Sequence, residues 1–267
     1  MKNKISGKIV ALLLTLIIVA TSGMPLYAKE TGDKANSFRY ENGQSIAKAV
    51  PFSTLSPNAW KKIDGKYYSG DGSVIEGAVA KEIDVSHHQG TVDWKKAKED
   101  GVEFAIIRCG FGMNQTKQDD AQWFNNVKGC EENNIPYGVY LYSYADTVKK
   151  AQSEAEHVLR LIKGHTLAYP VYYDIEEKAV LNKLTAEQLG KIAATFVNKV
   201  KAEGYQTGIY SNKSNFETFL TDSQFSQWNK WVAQYNSAAC TYKGTYQIWQ
   251  AADTGTIDGV NGAVDIN

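Results

Sequence analysis

The sequence predicts an α/β fold: a sheet of eight strands closed into a barrel, with helices after the first five strands and none after the last three. Two observations carry this. From Glu82 onward, strand-like apolar runs alternate with helical periodicity five times, and three further runs then follow with only loops between them. Alternation of strand and helix argues for parallel pairing, and eight strands argue for closure. An open doubly wound sheet is the alternative, but no glycine-rich phosphate loop supports it.

The elements run as follows. Lys2, Lys4 and Lys8 precede an apolar run from Ile9 to Ala20 that is broken only by Thr15, and Ala28 offers a small-residue cleavage site. Residues 1–28 are therefore expected to be a signal peptide, since the run is short for a membrane span; an uncleaved anchor is the alternative. Export places the protein outside the cell or at the wall. Residues 29–58 are polar and aperiodic, as a flexible linker would be. Residues 59–80 carry aromatic clusters around Asp64-Gly65, the pattern of a short hairpin or strap, and residues 81–267 form the barrel domain.

Strand-like runs fall at 82–86, 103–109, 137–143, 170–176, 206–210, 231–235, 246–250 and 262–266. The clearest helix spans Thr185 to Glu203. Thr185 and Gln188 make a capping box, Gly204 stops it, and Leu189, Ile192, Ala193, Phe196, Val197 and Val200 form its apolar face. A second helix uses Ala151, Ala155, Val158, Leu159 and Ile162, and a third carries Trp123, Phe124 and Val127. Shorter ones are expected near 93–100 and 213–220.

Acidic and basic residues balance at 29 each, so no charge excess points to nucleic acid. The 16 tyrosines and 6 tryptophans suit a carbohydrate cleft and equally an ordinary core. Cys109, Cys130 and Cys240 lack zinc-ligand spacing; one disulfide with a free thiol and three free thiols both fit. His87 and His88 are adjacent, and neighbouring side chains of an extended chain point apart, so no metal or other cofactor is expected.

In an α/β barrel the active site lies at the C-terminal ends of the strands. Asp84 sits in the first run, Asp174 and Glu176 end the fourth, and Asp265 ends the last. Closure brings the first and last strands together, so all four carboxylates are expected at one cleft. Residues i and i+2 of a strand point the same way, about 6.6 Å apart along the chain. Two carboxylates so placed repel, which raises one pKa and retains a proton near neutrality. Glycoside hydrolysis needs such a pair, an acid for the leaving oxygen and a second carboxylate for the developing positive charge. Acids paired with surface lysines at a strand end are the bland alternative.

Together these stretches resemble the family 25 glycoside hydrolases, the Chalaropsis-type lysozymes. The matching stretches are IDVSHHQGTVDW at 83–94, FAIIRCGFG at 104–112, IPYGVYLYSYA at 135–145, PVYYDIEE at 170–177, GIYSN at 208–212, WVAQYN at 231–236 and the closing IWQAADTGTIDGVNGAVDIN. The resemblance implies an irregular (β/α)5(β)3 TIM-like barrel and hydrolysis of the β-1,4 bond between N-acetylmuramic acid and N-acetylglucosamine in peptidoglycan glycan strands; a monomer is expected. It places the proton donor at Glu176, its partner at Asp174, and further aspartates at Asp84 and Asp265. Tyr142, Tyr210, Tyr235 and Trp249 fall where they could line the groove. Ala251-Ala252 depart from the pattern where the family often has a tyrosine. A chitinase-like hydrolase is a rival, although the longer D-x-x-D-x-D-x-E signature is absent, and a non-catalytic peptidoglycan-binding module is another.

Overall fold

The computed structural model describes residues 61–69, 72–235 and 237–267, and before them two paired strands, β1 (Tyr40–Glu41) and β2 (Gln44–Ser45). The expected signal peptide, and the linker apart from those four residues, lie outside the described residues.

Strands β3 (Lys61–Ile63) and β4 (Lys66–Tyr68) form an antiparallel hairpin. Its turn residues Asp64 and Gly65 both have positive φ, 48° and 77°, as a tight two-residue hairpin turn requires. Glu103 holds this hairpin to the barrel. Its carboxylate accepts from Lys62 Nζ at 2.6 Å, from the Tyr67 hydroxyl and from the Lys81 amide at 2.8 Å. Partial burial of Glu103 is outweighed by these donors, which hold its carboxyl below the usual range.

The barrel strands are β5 (Glu82–Val85), β6 (Phe104–Phe111), β7 (Tyr137–Tyr142), β8 (Val171–Asp174), β9 (Thr207–Asn212), β10 (Asn229–Ala233), β11 (Ile248–Gln250), β12 (Ala252–Gly255) and β13 (Val264–Ile266). They form one sheet in the order β11-β10-β9-β8-β7-β6-β5-β13-β12. Helices α1 (Trp94–Glu99), α2 (Trp123–Glu132), α3 (Val148–Leu161), α4 (Lys178–Leu181), α5 (Ala186–Ala202) and α6 (Lys213–Thr218) follow the first five of these strands.

The expected parallel pairing holds from β5 to β11, but β13 runs antiparallel to β5. The reason is chain length. A parallel return needs a crossover of about a dozen residues or more, and the loop from Thr256 to Ala263 joins β12 to β13 as a hairpin instead. The ninth strand, β12, was not visible in the apolar pattern because ADTG lacks one. β11 and β12 are separated only by Ala251, whose amide donates to Ile266 O at 2.9 Å. One run of chain therefore pairs with β10 at its start and β13 at its end, and this brings the two sides of the sheet together.

Strand alternation divides the core into two layers. Outside, Ile83, Val85, Ile107, Val139, Leu141, Tyr173 and Ile209 pack against helix residues including Val158, Phe196 and Val197. Tyr173 stacks on Phe196 with centroids 3.9 Å apart. Inside, Phe104, Ile106, Tyr172, Tyr210, Ala233 and Ile248 surround Trp231, whose ring meets Tyr140, Tyr172 and Tyr210. The capping box of α5 forms between Thr185 and Gln188, and Gly204 takes φ 88° at its end. On α2, Trp123 and Val127 are buried, but Phe124 is 65% exposed and off the core face. All three cysteines are free thiols.

Gly208 gives a test of packing in this core. A Cβ there would lie 2.4 Å from the Tyr172 ring and 3.0 Å from Asn229 O. Overpacking typically costs about 1–3 kcal/mol. Gly208→Ala should lower the unfolding free energy by that amount, read as a lower urea midpoint at an unchanged m-value.

Candidate active site

The mouth of the barrel forms where carboxylates join the inward-facing aromatic residues. On β7, β8 and β9 the register sets Tyr142 beside Asp174, and Asp174 beside Tyr210. Glu176 follows Asp174 by two residues and is 5% exposed. On the other side, Asp84 of β5 is paired directly with Asp265 of β13. Asp84 and Asp174 are buried, and Asp265 is half-buried. The sequence-predicted carboxylates are thus brought to one end of the barrel.

Electrostatics link them. Burial, the Glu176 charge and the Asp84 charge push the Asp174 carboxyl well above its ordinary range, while the Arg108 guanidinium opposes the shift. Asp174 Oδ1 is buried and has no hydrogen-bond partner among the described residues. Tyr142 and Tyr210 are raised as well, by burial first. The carboxylates add to this, with Glu176 and Asp174 beside Tyr142 and these two plus Asp84 beside Tyr210. Both phenols stay protonated and act as donors: Tyr142 toward Glu177 at 3.4 Å, Tyr210 to Gln250 at 2.7 Å.

Tyr235 is half-buried and donates to the same Gln250 oxygen at 2.6 Å. Trp249 is not brought into this ring. With period-2 alternation it is Gln250 that faces the carboxylates, and Trp249 lies on the other face of β11, its Nε1 donating to Gln234 O at 2.9 Å. Gln250 was missed in the sequence, although the same alternation would have selected it.

Four further polar residues escape the sequence patterns. Arg108 of β6 is 6% exposed, with Nε donating to Asp120 Oδ2 at 2.8 Å and its fork against His87 Nδ1. Asp120 is held low despite its burial by Arg108 and by hydrogen bonds from His87. Asn267, the last residue, donates to Asp84. Glu154 of α3 accepts from Ser143, Tyr173 and the Tyr144 amide, and burial pushes its carboxyl up to about 7. Among the described residues no group of three or more His, Cys, Asp or Glu side chains is arranged to hold a metal ion.

Comparison with known proteins decides the family. The sequence model described as Glycosyl hydrolases family 25 matches residues 83–260. The chain belongs to this family. Among relatives, the uncharacterized protein YegX of Escherichia coli O157:H7 is 31% identical over 69% of this chain and 67% of its own length. Lysozyme M1 of Streptomyces globisporus is 25% identical over 84% of each chain. Among solved structures, the modular autolysin LytC of Streptococcus pneumoniae, determined with a synthetic peptidoglycan ligand, superposes with TM-score 0.69 at 30% identity over 78% of this chain. This chain spans about half of that LytC chain, 51%. As a family 25 glycoside hydrolase, the chain carries its barrel and its strand-end carboxylates within or just beyond the matched segment.

The raised Asp174 makes a pH-dependent stability test. Below about pH 3.9 the folded and unfolded states both hold its proton. Above that, the unfolded state releases the proton first, so the folded state binds more protons and stability falls as pH rises. Asp174→Asn removes this penalty. Its melting temperature should gain on wild type at pH 7 relative to pH 4; an equal difference at both would mean that Asp174 is not raised.

Proposed function

We propose that this chain hydrolyses the β-1,4 bond between N-acetylmuramic acid and N-acetylglucosamine in bacterial peptidoglycan, with Glu176 as proton donor. The observation that carries the reading is the desolvated Asp174–Glu176 pair at the end of β8, flanked in register by Tyr142 and Tyr210. The likeness to LytC, whose structure holds a synthetic peptidoglycan ligand, supports the substrate class. The basic, then apolar start of the sequence supports action outside the cell.

On this reading the pair shares one proton. A 2-acetamido group arriving at Asp174 donates its N–H to that carboxylate, stabilises the ionised form and leaves the proton on Glu176. Glu176 protonates the leaving oxygen while the acetamido carbonyl oxygen attacks the anomeric carbon. Asp174 orients this group and balances its developing charge, as in substrate-assisted glycosidases. Glu176, now a base, draws a proton from the water that opens the intermediate, and the net outcome is retention. Asp84 and Asp265 supply the negative field that favours a proton on Glu176. Tyr142, Tyr210 and Tyr235 line the groove, and no metal takes part.

Two experiments test this. Glu176→Gln should lower turnover of soluble muramoyl oligosaccharide by about 10²–10⁴-fold with binding retained; more than about a tenth of wild-type rate would remove the acid assignment. NMR should show the β-anomer of the new reducing end first, and mass spectrometry should find muramic acid there. An initial α-anomer would overturn retention, and a sugar ester trapped on Asp174 would overturn the acetamido route.

A further inference from the structure

Two side-chain amides serve the aspartates at the seam, and their neighbours decide which way each one points. An indole N–H is a donor only, and that of Trp231 reaches Asn267 Oδ1 at 2.7 Å. Asn267 therefore turns its Nδ2 toward Asp84 and donates to Oδ2 at 3.0 Å. Gln250, 1% exposed, accepts from the Tyr210 and Tyr235 hydroxyls on Oε1. Its Nε2 then donates to Asp84 Oδ2 at 2.7 Å and to Asp265 Oδ2 at 3.2 Å. The flipped amide would set its oxygen against two carboxyl oxygens and would demand a proton on each. One oxygen of Asp84 thus receives two N–H groups, and hydrogen bonds to the charged form of an acid favour that form.

We propose that Gln250, oriented by Tyr210 and Tyr235 and seconded by Asn267, is a positioning residue that holds Asp84 and Asp265 as anions and so confines the exchangeable proton of the site to the Asp174–Glu176 pair. This rests on the reading of these carboxylates as the active site. Four acids crowd this end of the barrel interior, Asp84, Asp174, Glu176 and Asp265. Glu82, two residues before Asp84 and nearer the base, is pushed well above the ordinary range by burial and by the Asp84 and Asp265 charges. The other titratable neighbours are Arg108 of β6, Tyr140 of β7, Tyr210 of β9 and Tyr235 beyond β10. Arg108 is engaged by Asp120 and His87. Its charge does reach Asp174. A proton that settled on Asp84 or Asp265 would weaken the field that keeps one on Glu176. The amide donors prevent this without adding a charge, whereas a lysine in the place of Gln250 would cancel the field.

The test compares pH profiles of kcat and kcat/KM for wild type, Gln250→Ala and Gln250→Glu on a soluble muramoyl oligosaccharide. Loss of the donor should move the acidic limb of Gln250→Ala to higher pH by about one unit, with kcat falling more than KM changes. Gln250→Glu keeps the size and the acceptor for both tyrosines but loses the donor, and its limb should move further. A second measurement needs no turnover and no variant at position 250. Wild type labelled with ¹³C at aspartate carboxyls, with Asp84→Asn and Asp265→Asn for assignment, should show both groups ionised down to about pH 4. A Gln250→Ala profile lowered in height but unshifted would reduce Gln250 to a packing role. Asp84 or Asp265 titrating above about pH 6 in wild type would overturn the proposal outright. An active Glu176→Gln protein in the same assay would instead overturn the active-site reading, and the carboxyl titration would still stand as its own measurement.

Discussion

Curling the sheet into a barrel protects its strand edges and encloses a narrow interior that side chains fill. In this chain closure falls to the stretch from Ile248 to Gly255, which pairs with β10 before Ala251 and with β13 after it. Gln250 stands at that junction. The backbone there unites the two sides of the sheet, and the side chain there touches two aspartates and two tyrosines, from three strands and the loop after β10. The stretch that joins the two sides of the sheet is also the one at which its polar interior is knit together.

Beneath the carboxylates lies a floor of rings around Trp231. The floor has an electrostatic effect as well as a packing one. It leaves the acids little water from below, so charges in the mouth act on each other through a medium of low polarity. This is why Asp174 departs so far from an ordinary aspartate, and why the nearby tyrosines remain donors.

Much of this was legible in the sequence, because eight strand runs and five helices leave periodic apolar patterns. The strand-end rule then located Asp174 and Glu176, and the expected closure set Asp265 beside Asp84 although β13 runs antiparallel. The parts that were missed share a physical cause. β12 has no apolar alternation to reveal it, and the antiparallel turn of β13 depends on loop length rather than on the strand's own residues. Arg108, Gln250 and Asn267 are polar residues whose importance lies in partners distant in sequence, such as the 166 and 183 residues that separate Gln250 and Asn267 from Asp84. Trp249 drew attention as an aromatic residue, but the face of a strand is set by parity and not by residue type.

The β3–β4 hairpin grips the barrel through Glu103 and Lys81, which directly precede β6 and β5, whereas the carboxylates sit at or near the opposite ends of their strands. A tether joined at Lys61 would pull on the closed base of the barrel. Immobilised by that side, the molecule would turn its mouth away from the support, and traction would load the Lys62–Glu103 ion pair before it strained the geometry around Glu176.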